Sequence, residues 1–345
     1  MTVLGPRRCR RACALGAAVL TLVVGSAVVP AAPANAVDRE VTGADQEYYP
    51  YYQLASLHSQ GYTGEGAIIA MIDGHVNPNI PELAGATIEN KSPCTVRSLP
   101  ENADHGTAVA QVLVAPKFGV APGATLYTYD LGYSEEEVGA DCATAGVYAR
   151  GEADTSLLIE QAINDGAHII SISSNYPLYN EDLRWAMARA ISQGVIVVAA
   201  MGNESTEDPA DTLPLWSGIC GVGAINADGS LTEYSNWGNG VETVALGKII
   251  VRSGSRGEVL TMEGTSFATP IVAGFLAIAW QRFDERITAN QILQAMTTTG
   301  TGSNGDWNYY TGFGPADPWG LLNADAASLP DVNPCESKTY SLKPS

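Results

Sequence analysis

Four polar residues of this 345-residue chain have the types and settings that acyl-transfer chemistry needs: Asp73, His105, Asn203 and Ser266. Asp73 closes the apolar run Ile69-Ala70-Met71-Ile72 and precedes Gly74. Alone, an Asp-Gly pair reads as a turn. His105 stands in Asp104-His105-Gly106-Thr107, at the expected start of a helix of small residues. With only four histidines in the chain a zinc cluster is disfavoured, and a lone histidine is more often structural. Asn203 follows the apolar run 197–201, where an Asn usually means a turn. Ser266 precedes a long apolar stretch, where it could serve simply as a helix N-cap. Jointly the four supply more. A serine hydroxyl is a weak nucleophile and needs a base within hydrogen-bond reach. An imidazole such as His105 can take that proton near neutral pH and return it to a leaving amine. A carboxylate such as Asp73 would hold the imidazole tautomer and stabilise the imidazolium. The Asn203 amide and the Ser266 backbone N–H can donate to an oxyanion, with a helix N-terminus adding a favourable dipole.

Positioning these groups falls to elements of two periods. Short apolar runs recur at Ala67–Ile72, Ala124–Leu131, His168–Ser174, Val195–Met201, Ile219–Ile225 and Val241–Leu246. Several are continuously apolar, as strands covered on both faces should be. Helix-like stretches lie between or after them: Thr155–Asp165, Asp182–Gln193, Ser266–Arg282 and Ala289–Thr298. The first two stop at Gly166 and Gly194, glycines suited to helix C-termini. Strand–helix alternation predicts an α/β fold: one three-layer α/β/α domain with a mostly parallel sheet. The C-terminal strand ends are then the default place for chemistry. That domain is expected over 48–329, with 37–47 a short leader and 330–345 a loop-like tail.

The order Asp…His…Ser with these flanking residues resembles the subtilisin-like serine proteases. Gly264-Thr265-Ser266-Phe267-Ala268-Thr269-Pro270 is similar to the family's nucleophile segment, and Val272-Ala273-Gly274 continues it. Ile72-Asp73, His105-Gly106-Thr107 and Ala200–Glu204 are similar to its Asp, His and oxyanion-Asn segments. Weaker likenesses lie at Gly61–Gly64, Gly119–Pro122 and Gly320–Ala324. The resemblance implies a subtilisin-like fold and a serine endopeptidase with Asp73, His105 and Ser266 as catalytic residues and Asn203 in the oxyanion hole. It also implies that an extended peptide binds along Ser173, Ser174, Asn175, Ala200, Met201 and Gly202, added as a β-strand. No cofactor is implied. Calcium sites are common in the family and an acidic chain would suit them, yet no ligand-spaced acidic loop stands out. No metal ligands are assigned.

Some residues depart from the family pattern. Gly74 and His75 stand where Ser or Thr and then Gly are usual, so a hydroxyl that could orient Asp73 is missing. Ala108 replaces a common second His, and Gln111 a common Gly. Met201 and Asn175 replace small residues and are expected to narrow the cleft. These departures motivate an alternative, a catalytically impaired subtilase-like binding or scaffold protein. Acyl transfer to an acceptor other than water is a third reading.

Composition sets the surroundings. Hydrophobic residues make up 46% and charged residues 16%, which excludes disorder as a description of the whole chain. The net charge of −19 excludes nucleic acid and anionic membrane surfaces as partners through bulk electrostatics. Residues 1–36 carry Arg7, Arg8, Arg10 and Arg11, then an apolar stretch, then Ala34-Asn35-Ala36. That layout is a secretory signal peptide, predicting a secreted, extracellular product with a peptide or protein substrate. Its removal leaves 14 positive and 37 negative residues, net −23, and only a short leader where many secreted members carry long propeptides. In this the layout is similar to the mycosins, a mycobacterial branch. Cys94, Cys142, Cys220 and Cys335 then remain, an even set expected to form two disulfides in one of three pairings.

Overall fold

The apolar runs become six of the seven strands of a parallel sheet, most of their residues being buried. The computed structural model describes residues 39–145, 155–174, 181–209, 212–283, 286–302 and 306–336. The sheet contains β1 (Ile68–Asp73), β2 (Thr87–Asn90), β3 (Thr125–Asp130), β4 (Ile169–Ile172), β5 (Ile196–Ala200), β6 (Cys220–Ile225) and β7 (Val241–Leu246). Its order is β2-β3-β1-β4-β5-β6-β7, with every neighbouring pair parallel. An antiparallel hairpin, β8 (Lys248–Arg252) with β9 (Val259–Glu263), stands apart from it. The helices are α1 (Tyr48–Tyr51), α2 (Leu54–Ser59), α3 (Pro100–Val114), α4 (Ala140–Ala145), α5 (Thr155–Asn164), α6 (Glu181–Ser192), α7 (Thr265–Phe283), α8 (Ala289–Thr298) and α9 (Pro318–Asn323).

Strand pleating assigns alternate residues to opposite layers. Ile69 and Met71 of β1 join the core formed with α3 and α7, whereas Ala70 and Ile72 join the core formed with α5 and α6. Ile196 and Val198 of β5 follow the first pair; Val197 and Ala199 follow the second. The result is the expected three-layer α/β/α domain. Helix α7 is buried nearly along its length, consistent with its lack of a polar face. Strands β2, β8 and β9 and helices α1, α2, α4 and α9 have no counterpart among the expected elements. Strand β2 (Thr-Ile-Glu-Asn) is a partly exposed edge, and β9 alternates exposed and half-buried residues.

Residues 41–46 of the expected leader pack on the hairpin. The Gln46 amide pairs with the backbone N–H and C=O of Ile250. The Val41 N–H donates to Glu82 Oε1 at 2.9 Å, and that buried carboxylate takes both Arg252 Nε contacts at 2.8–2.9 Å. Two disulfides form, Cys94–Cys142 and Cys220–Cys335. The second attaches the expected tail to β6, where Asn333 Nδ2 also donates to the Gly218 carbonyl. Among the described residues no helix is long and apolar enough to cross a membrane.

Candidate active site

Asp73 is the last residue of β1, and its side chain has no solvent exposure. Its Oδ1 accepts the Gly74 N–H at 2.7 Å and lies 2.8 Å from His105 Nδ1. A proton on Nδ1 facing a carboxylate leaves Nε2 unprotonated, the form a base requires. Burial by itself would lower the His105 pKa, but the Asp73 charge and hydrogen bond outweigh it, and the net shift is upward.

His105 reaches Asp73 because β1 and α3 meet backbone to backbone. A Cβ on Gly74 would lie 2.1 Å from the Asn102 carbonyl oxygen, and one on Gly106 would lie 2.0 Å from the Gly74 oxygen. Neither position has room for a side chain. Helix α3 begins at Pro100, not at His105 as expected from the sequence. Pro100 is preset for the first helical position, and the Leu99 N–H is taken by Glu137 Oε1 at 2.7 Å. His105 therefore sits in the second turn of the helix, with the Phe267 ring 5.5 Å away between centroids.

Ser266 is the second residue of α7, so its backbone N–H lacks an intrahelical partner and is free to donate. It does not cap the helix; its Oγ donates to the Ser173 carbonyl at the end of β4, at 2.7 Å. The capping oxygen is Asn203 Oδ1, which accepts the Thr265 N–H at 2.8 Å and lies 3.1 Å from Thr265 Oγ1. With Oδ1 engaged, Nδ2 is left as the outward donor. Thr265 Oγ1 also accepts the Gly202 N–H at 3.0 Å, locking this loop to α7.

Asn203, His105 and Ser266 line one cleft of about 310 Å³ at the C-terminal edge of the sheet. Ser173, Ser174, Ala200 and Gly202 line it too. Met201 does not: it is buried in the core, its sulfur packed beside Gly221. Asn175 lies outside the described residues. The His75 ring turns away from the cleft and pairs its Nδ1 with Asp130 Oδ2 at 2.8 Å. That hydrogen bond raises the His75 pKa. Ala108 is core, and Gln111, which also donates to the Thr107 carbonyl within its own helix, joins α3 to β8 through both backbone groups of Arg252.

Sequence reasoning missed three contributors. Asn236 donates from Nδ2 to the Met201 carbonyl and to Glu204, and its Oδ1 accepts from Glu204 N and Thr206 N, so it shapes the loop that carries Asn203. Its setting, Ser-Asn-Trp-Gly, reads as an ordinary turn. Glu137 lies in a run of three glutamates that reads as a solvated face, yet it is fully buried. Tyr133, also on the cleft wall, carries no sequence signal at all. Glu101 and Glu204 add two carboxylates to the lining, and no lysine or arginine joins them. Among the described residues no group of three or more His, Cys, Asp or Glu is placed to hold a metal ion.

Comparison with known proteins gives three likenesses beside a family match. Residues 64–314 match the model of the Subtilase family, Peptidase_S8. The chain is 30% identical to Subtilisin BL of Lederbergia lenta over 287 residues, covering 80% of this chain and 96% of the relative. It is 28% identical to Subtilisin E of Bacillus subtilis over 284 residues, covering 79% and 68% respectively. Among solved structures it resembles the prenylagaramide maturation protease PagA, with a TM-score of 0.62 and 25% identity over 78% of this chain and 96% of that one.

Proposed function

The chain belongs to the subtilase family and is a serine peptidase, and from that premise we propose that it is a secreted endopeptidase using Ser266, His105 and Asp73. The observation that carries this reading is the His105–Asp73 contact at 2.8 Å opening on the cleft that Ser266 and Asn203 share. In the reaction, Ser266 Oγ leaves the Ser173 carbonyl, bonds to the substrate carbonyl carbon and passes its proton to His105 Nε2. Asn203 Nδ2 and the Ser266 N–H hold the oxyanion; loss of one such donor costs about 10²–10³ in kcat. As the C–N bond breaks, His105 returns the proton to the leaving amine. Water then gives a proton to His105 and its hydroxide to the acyl group, releasing the acid and restoring Ser266.

The substrate is an extended peptide lying beside Ser173–Ser174 and Ala200–Gly202, with cationic side chains favoured. Glu101 and Glu204 in the lining and the net charge of −19 support that preference. Export rests on residues 1–36 acting as a signal peptide. The two disulfides support it. The test is hydrolysis of a basic peptide by wild type and Ser266→Ala across ionic strength. The wild type should cleave it, with kcat/KM falling as salt rises, and Ser266→Ala should lose activity by several orders of magnitude. Full activity in Ser266→Ala would end this reading.

A further inference from the structure

A second buried carboxylate stands next to the candidate base in the sequence. Asp104 is only 5% exposed, and successive helix residues point about 100° apart, so while His105 faces Asp73 its neighbour faces another element. That element is the turn joining β8 to β9. Asp104 Oδ1 accepts from Ser253 Oγ at 2.6 Å and from the Ser255 N–H at 2.8 Å, and Arg256 reaches Oδ2 at 3.5 Å. Thr107 meets the same turn: a Cβ on Gly254 would lie 2.1 Å from Thr107 Oγ1. Asn77 closes the junction, its N–H donating to Thr107 Oγ1 at 3.0 Å and its Nδ2 to the Gly254 carbonyl at 2.8 Å. The turn therefore grips α3 at residues before and after His105. From this turn the five residues of β9 run to Glu263, and the chain enters α7 at Thr265 and Ser266. One short strand thus joins the helix of the base to the helix of the nucleophile.

We propose that Asp104 is a positioning residue: by locking the β8–β9 turn onto α3 it fixes His105 against Asp73 and Ser266. The contact of Gly74 with Asn102 and Gly106 touches α3 from the β1 side only. A helix held along one side can rock about that contact, and rocking moves His105 relative to both partners. Asp104 supplies the hold from the hairpin side. Both of its strong donors converge on one oxygen, and losing that oxygen would leave a buried hydroxyl and a backbone N–H without an acceptor. The second oxygen matters less, because Arg256 is 60% exposed and also pairs with Glu258 at 3.0 Å. Burial alone would raise the Asp104 pKa, but the Ser253 hydroxyl and the Ser255 N–H outweigh it and the net shift is downward. The acceptor therefore stays unprotonated at neutral pH.

This inference deepens the proposed catalytic reading and rests on it, so its test needs a readout that does not depend on turnover. The low-field resonance of the His105 Nδ1 proton reports the contact with Asp73 directly. Asp104→Ala removes the acceptor; Asp104→Asn keeps an oxygen for Ser253 and Ser255 and drops only the charge. In Asp104→Ala the resonance should move upfield or broaden. Its kcat should fall about tenfold or more with KM within about twofold of wild type, since the reacting groups rather than the bound peptide are displaced. Asp104→Asn should keep the resonance and hold kcat within about threefold of wild type. A residue that only stabilised the fold would lower Tm and leave the resonance and kcat of the folded variant alone. Ser253→Ala cuts the same hold from the hairpin side and should move the resonance in the same direction, so the test stands even where Asp104→Ala does not fold. A wild-type resonance and kcat in folded Asp104→Ala or in Ser253→Ala would overturn the proposal, as would an Asp104→Asn that loses as much as Asp104→Ala. A wild type that shows the resonance but cleaves no peptide would instead count against the proposed function, leaving the role of Asp104 to be decided by resonance.

Discussion

At the scale of single residues, the imidazoles set the pH behaviour. His105 has an ordinary value of 6.5 raised by Asp73 against the opposing effect of burial. Catalysis needs the neutral base, so kcat/KM should rise with pH along a limb centred above 6.5. A limb at or below 6.5 would contradict the Asp73 contact. The stability linkage has the opposite slope. A raised folded pKa means that the His105–Asp73 and His75–Asp130 pairs stabilise fully below 6.5, and that this is lost as pH rises through the folded values. His58 and His168 are lowered by burial; they stabilise above 6.5, and that contribution is lost as pH falls through their folded values. The catalytic candidates were legible in the sequence because each sits at a strand end or helix start with its own flanking pattern. Asn236 and Glu137 were not legible, because each works by pointing at a distant partner, which no local spacing encodes; Tyr133 was not, because nothing in its neighbouring residues marks it as cleft wall.

At the scale of elements, the contact between β1 and α3 does the most to assemble the site. Gly74 and Gly106 let the two backbones touch, and a serine at 74, the residue type the family pattern leads one to expect there, has no space. Gly74→Ser should force α3 outward, cost about 1–3 kcal/mol of stability and lower kcat. A Tm and kcat equal to wild type would show that the contact is not what places His105. Apolar runs identified six of the seven sheet strands, and glycine stops identified the ends of α5 and α6. Strands β2 and β9 escaped because their polar or alternating residues leave them largely exposed, and β8 because it is short and bounded by Lys248 and Arg252. The start of α3 was read late because its anchor is Glu137, about 35 residues further on.

At the scale of the whole molecule, cross-links and charge surround this assembly. Cys94–Cys142 and Cys220–Cys335 close spans of 48 and 115 residues. In chain-entropy terms these stabilise by about 4 and about 5 kcal/mol. The first encloses the segment holding Tyr133 and Glu137; the second holds the tail against β6. The cysteine count foretold two bridges, but pairing depends on the fold and could not be read from spacing. The central claim is that Ser266 is an activated nucleophile despite Gly74 and the outward-turned His75. The most direct measurement is mass-spectrometric mapping of a fluorophosphonate probe on the folded protein, with Ser266→Ala as control. Labelling confined to Ser266 and absent from the variant is the predicted result. Folded protein that takes up no label, or takes it up elsewhere, would contradict the account.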